Sequence, residues 1–168
     1  DGSDSRMNVS SRSDNRAYYN SRDEGQTYSL VWTHLAAADG EWSFYLKNTS
    51  TTGKHLVVSA IGLNSDTAGS RFKLWFANGT ATVPTNLNRA NSSNVATADA
   101  LISAAGTAIS GLTNDAAIDH IYCGVDEHRE LRLTDRVRLG QGDAVALEFD
   151  ENSGGTADCG GGVFFYFE

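Results

Sequence analysis

The chain holds one proline and two cysteines in 168 residues, and its 13 basic side chains face 21 acidic ones. Each shortage excludes something. With one proline against 17 glycines and 40% hydrophobic residues, this is the composition of a folded, turn-rich β protein, not of a disordered chain. Cys123 and Cys159 match no zinc ribbon and no CxxC redox pair, and a disulfide between them or two free thiols both remain open, as does the compartment. Ten Arg and three Lys are scattered without a patch on a chain of net charge −8, so a nucleic-acid groove has no electrostatic footing. No apolar run approaches the roughly 18 residues that cross a bilayer, and no charged-then-apolar segment opens the chain. The expectation is a soluble product with neither nucleic acid nor membrane as partner.

Catalytic signatures are equally scarce. HExxH, GxSxG and three-histidine patterns are all absent. His34 and His55 fall at expected strand edges, and Asp119-His120 and Glu127-His128 are adjacent pairs whose side chains point to opposite faces of a strand. The stretch from Glu151 to Gly160 faintly resembles a serine-protease nucleophile loop, but Asn152 stands where an acid would precede Ser153, and a triad needs serine, base and acid together. It is expected to be a flexible loop. Asp126-Glu127 and Asp150-Glu151 offer oxygens without a DxDxDG calcium loop and read as solvated turns. Asn8, Asn48, Asn78 and Asn91 each open an Asn-x-Ser/Thr acceptor, expected by chance in so polar a chain. The expectation is no enzyme, no cofactor and no metal.

What is present is alternation. A length of 168 residues suits one domain with its own core. Asp1 to Asn15 is polar and aperiodic, which defines an N-terminal arm over residues 1–16, too poor in apolar surface to order itself, ahead of a domain at 17–168. Strand signals follow at Ala17–Tyr19, Thr27–Thr33, Glu41–Lys47, Lys54–Leu63 and Arg71–Phe76, with Asn78-Gly79 as a hairpin turn into Thr80–Val83. The Ala/Ser/Thr-rich stretch within residues 91–112 is ambiguous: Ala96–Ala105 fits a short helix capped by Asn94, and equally a loop with an edge strand. Strands resume at Ala117–Cys123 and Glu130–Leu133, then a turn at Asp135, then Ala144–Asp150.

The chain closes on Val163-Phe164-Phe165-Tyr166-Phe167-Glu168, apolar on both faces of a strand. At an open edge such a segment would drive aggregation, so it belongs in the middle of a sheet or at a subunit contact. Short strands at roughly 8–12 residue spacing, with turns between them, define an all-β sandwich, and a single jelly roll of about eight strands is the expected fold.

Leu139-Gly-Gln-Gly-Asp-Ala-Val-Ala-Leu147 resembles the penultimate strand of tumour-necrosis-factor and complement-head jelly rolls. The order of a polar arm, Phe44–Lys54, Thr85-Asn-Leu-Asn-Arg89 and Arg138–Asp143 resembles small virion proteins of tailed phages, of the head-decoration, head-fibre or tail-tip type. These resemblances imply a homotrimer on the virion surface that binds the major capsid protein without catalysis. Val163, Phe164, Phe165, Tyr166 and Phe167 would form the trimer interface, and Arg6, Met7, Arg12 and Arg16 the capsid-anchoring arm. A carbohydrate- or receptor-binding module, at a tail tip or extracellular, is the alternative. In it Trp75 would stack on a host-surface glycan, because Phe72, Leu74 and Phe76 claim the other face of its strand.

Overall fold

The computed structural model describes residues 27–67, 69–79, 81, 88–89, 100–103, 109–151 and 155–168. Its strands are β1 Thr27–Ala38, β2 Glu41–Asn48, β3 Leu56–Ser65, β4 Ser70–Gly79, β5 Asn88–Arg89, β6 Ala100–Ser103, β7 Leu112–Cys123, β8 Arg129–Leu139, β9 Ala144–Glu151 and β10 Thr156–Phe167. They form two antiparallel five-stranded sheets, in the orders β5-β1-β10-β3-β8 (sheet A) and β6-β2-β9-β4-β7 (sheet B). Leaving out the short edge pieces β5 and β6, the first strand pairs the last, the second pairs the next to last, and chain order folds inward from there. That nested order is the jelly roll.

The aromatic terminal strand is central, between β1 and β3. Its inward residues Val163, Phe165 and Phe167 are enclosed between the sheets, where Phe165 stacks on Tyr28 at 5.4 Å and Phe167 meets the same ring edge-on at 6.0 Å. Trp32 of sheet A meets Phe72 of sheet B at 6.2 Å, and Phe72 meets Phe149 at 5.5 Å, so aromatic contacts carry the core from one sheet to the other.

Several expectations change. The second half of the loop expected at Glu151–Gly160 is strand: β10 begins at Thr156, so Gly160, Gly161 and Gly162 are paired with β1 on one side and β3 on the other, while residues 152–154 lie outside the described residues. The turn expected at Asp135 is a bulge within β8, whose register jumps from Arg132 opposite Ala60 to Val137 opposite Val58. Asn78 and Gly79 end β4, paired with Thr113 and Leu112, instead of turning a hairpin. Ala100–Ser103 is an edge strand on β2, which excludes a helix there. The strand expected at Ala17–Tyr19 and the arm itself lie outside the described residues.

A second apolar cluster lies on the outer face of sheet B. Ala77, Ala144 and Ala146 are small enough for Ile109 to lie over them beside Tyr45, whose hydroxyl donates to the Gly79 carbonyl at 3.2 Å. A register shift at Trp42/Phe44 turns Trp42 out to this cluster and Ser43 in. Among the described residues, the part of this face toward Arg71 and Tyr122 is left open.

The glycines of β10 differ sharply in tolerance. A Cβ at Gly161 would overlap the Gly62 carbonyl oxygen, whereas one at Gly162 would meet only ordinary contacts, Leu30 O at 3.6 Å and Phe164 Cε2 at 3.8 Å. Gly161→Ala is therefore expected to cost about 3 kcal/mol or more and to lower the melting temperature by on the order of 10 °C. Gly162→Ala should stay within about 1 kcal/mol of wild type. Thermal melts followed by circular dichroism check both.

Candidate functional site

The nearest approach to catalytic geometry was not visible in sequence. The β1 bulge at Ala36 and the shift in β2 bring His34, Ser43 and Glu41 together: His34 Nδ1 lies 2.8 Å from Ser43 Oγ, and His34 Nε2 lies 3.3 Å from Glu41 Oε2. This has the make-up of a Ser-His-acid array. It is sealed. His34 is 1% exposed and Ser43 fully enclosed, so no substrate carbonyl reaches the hydroxyl. Burial, opposed by Glu41, holds the His34 pKa below its ordinary value, and the ring is a neutral structural link between the sheets. Beside it, desolvation pushes the Cys159 thiol up to about 12 and Cys123 up to about 11. Both cysteines are free and buried, and thiols held so far from ionisation are poor nucleophiles.

The other histidines disperse. His120 is on the outer face of sheet B, His55 is exposed, and His128 in the β7–β8 loop lies over Gly62, where a Cβ would come within 3.0 Å of its ring. Among the described residues no group of three or more His, Cys, Asp or Glu is placed to hold a metal ion. Asn48, read from sequence as a chance glycan acceptor, is fully buried and donates to the Leu139 and Lys54 carbonyls at 2.8 and 2.9 Å.

Among the described residues, two hollows face outward. The first is a groove of about 810 Å³ across the outer face of sheet A. Its floor is glycine: Gly62 on β3 and Gly160 to Gly162 on β10, where missing side chains let a partner approach the backbone closely. Its walls are apolar, with Val31 64%, Leu35 62% and Phe164 45% exposed. The Ala36 bulge is held by its backbone N–H donating to Asp158 Oδ1 at 2.8 Å. Asp66, Asp126 and Asp158 gather at one end of the groove, and Glu130 there is paired with Arg132.

Of the five terminal side chains assigned to a subunit contact, Val163, Phe165 and Phe167 belong to the intersheet core and Tyr166 is buried at 1% exposure. A side chain enclosed between the sheets does not reach a second subunit. Phe164 alone presents its ring. Arg6, Met7, Arg12 and Arg16 lie outside the described residues.

The second surface is a hollow of about 330 Å³ on sheet B around Trp75, lined by Arg71, Lys73, Ala117, Ile118, Asp119 and His120. Trp75 faces outward as the alternation implied, but half-buried, its Nε1–H donating to Glu148 Oε2 at 2.6 Å. Arg71 donates from Nε to Asp150 Oδ2 at 2.8 Å, and Lys73 pairs with the same oxygen. Burial alone would raise the Asp150 carboxyl, yet hydrogen bonds from Lys73, Asp39 and Arg71 hold it below the usual carboxylate range, while Asp39 is pushed up by that shared bond. The Arg71 guanidinium also lies over the Tyr122 ring at 5.9 Å.

Comparison of this chain with protein-family models, with curated proteins and with solved structures gives no match.

The sealed histidine sets a pH dependence. Its folded pKa is below 6.5, so below that pH the unfolded chain takes up a proton that the folded chain refuses. Its contribution is whole above pH 6.5 and is lost as pH falls through the mildly acidic range. Asp150 acts in a separate window, below its ordinary 3.8. Urea midpoints should fall from pH 8 to pH 5.5 in wild type, with a flatter slope in His34→Gln; an unchanged slope assigns the effect elsewhere. Neither thiol should react with a disulfide reagent at pH 8 until denaturant is added, measured by released thionitrobenzoate.

Proposed function

We propose that this chain is a structural protein of a virion, a capsid-decorating or head-projecting jelly roll that forms homotrimers and binds the shell without catalysis. The observation that carries the reading is the outer face of sheet A. There the central terminal strand puts Phe164 beside Val31 at one end of a glycine floor whose other end is flanked by Leu35, an apolar surface of the kind that marks a protein contact. The likeness to trimeric jelly rolls implies a three-fold axis near the last strand, and Phe164 is the side chain of that strand free to meet it. The enclosure of Ser43 and His34 supports an architectural role: their hydrogen bond and the His34–Glu41 contact tie β1 to β2. In this reading the segment with Arg6, Met7, Arg12 and Arg16 anchors the trimer to the major capsid protein.

Light scattering on the eluting protein at micromolar concentration is expected to give three times the 18.0 kDa chain mass. Phe164→Asp and Leu35→Asp should shift the population to monomer without changing the circular dichroism spectrum, because both side chains already face outward. A wild-type monomer removes the trimer from the proposal.

A further inference from the structure

We infer that the hollow beside Trp75 is a binding site for an uncharged sugar ring, on the sandwich face opposite the proposed subunit contact and independent of it. The first argument is shape. Trp75 is flanked across the ladder by the exposed Ala117 on β7, so no large side chain crowds the indole from that strand, while Ala146 on its β9 side lies under the cluster around Ile109. The Nε1–H bond to Glu148 Oε2 fixes the ring's rotation before a ligand arrives, which spares the ordering cost that a free side chain would carry. A hollow of about 330 Å³ with one aromatic wall and a few polar groups is the usual form of a small-ligand site.

The second argument is chemistry, taken by elimination. An anion would need an uncommitted cation, but Arg71 and Lys73 both hold Asp150, and Asp119 adds another carboxylate. A wholly apolar ligand would strip water from Lys73, Asp119 and His120 and return no hydrogen bond, a cost of about 1–3 kcal/mol per stranded group. A pyranose satisfies both demands. Its C–H face would lie on the indole, and its hydroxyls would meet the Lys73 N–H groups not directed at Asp150 and the Asp119 oxygen that does not accept from the His120 N–H.

Tyr122 extends the site. It is 49% exposed on the same outward row, pairs across the ladder with Arg71, and meets His120 edge-on at 5.8 Å. The four residue steps of β4 from Arg71 to Trp75 span about 13 Å at the usual strand rise. A chain of two or three sugar units reaches from one ring to the other.

The test uses the full chain labelled with ¹⁵N at its three tryptophan indoles, with Trp75→Phe assigning the Trp75 signal. Methyl β-D-glucopyranoside, methyl α-D-mannopyranoside, methyl β-D-galactopyranoside and N-acetyl-D-glucosamine are titrated in turn, and the labelled protein is applied to a glycan array. At least one sugar should move the Trp75 signal and leave that of the core residue Trp32 in place. Array binding should weaken roughly tenfold in Trp75→Ala, and equally in Ala117→Arg, which fills the hollow with Trp75 retained. Silence across both panels overturns the site, as does binding that survives both substitutions. Binding confined to sialylated or sulfated glycans, and fading with salt, overturns the uncharged class.

Discussion

Val163, Phe165 and Phe167 enter the core from the middle of sheet A, on the strand that joins β1 to β3. Tyr28 on the first strand packs against two of them, so the two ends of the described domain are held by one aromatic cluster. In a jelly roll this contact is also the longest in sequence, and sheet A has β1 and β3 side by side only through β10. The loop-closure entropy of such a pairing must be offset by apolar burial, which explains why the final strand is so heavily aromatic. The Arg138–Glu168 ion pair and the reciprocal backbone bonds between His55 and Glu168, both 3.0 Å, continue the pairing one residue past β10.

Central placement of β10 has a second effect. A strand paired on both sides offers no backbone edge, so whatever meets it must come at its outward face. That face is shaped by glycine. Where β10 carries Gly160 and Gly162 the sheet surface sinks, and where it carries Phe164 it rises. The same residues that let β10 pack closely against its neighbours also cut the groove on which the assembly proposal rests.

The polar interior follows a different logic. His34, Ser43 and Cys159 sit between the sheets, and a buried hydroxyl or imidazole is tolerated only when hydrogen-bonded. The His34–Ser43 bond meets that need across a bulge and a register shift, one in each sheet. On the outer face of sheet B the charges remain in contact with water, and Asp150 gathers Arg71 and Lys73. Residue types that suggest catalysis in a list thus divide into a sealed structural link and an open polar surface.

The period-two alternation was readable along most of the chain, because each strand buries one face and the pleat fixes which residues share it. It established the all-β class, the strands around Trp42, Phe72 and Val145, the outward direction of Trp75, and the need of the Val163–Phe167 segment for shelter. It did not reveal the bulges at Ala36 and within β8, nor that Gly160 to Gly162 belong to a strand, since glycine contributes no apolar signal and reads locally as loop. Residues far apart in sequence were beyond its reach. Only the sheet order decided that three of the five terminal side chains face the core, that His34 meets Ser43, and that Val31, Leu35 and Phe164 share one surface, because those contacts are made by strand pairing across the fold and not by neighbours along the chain.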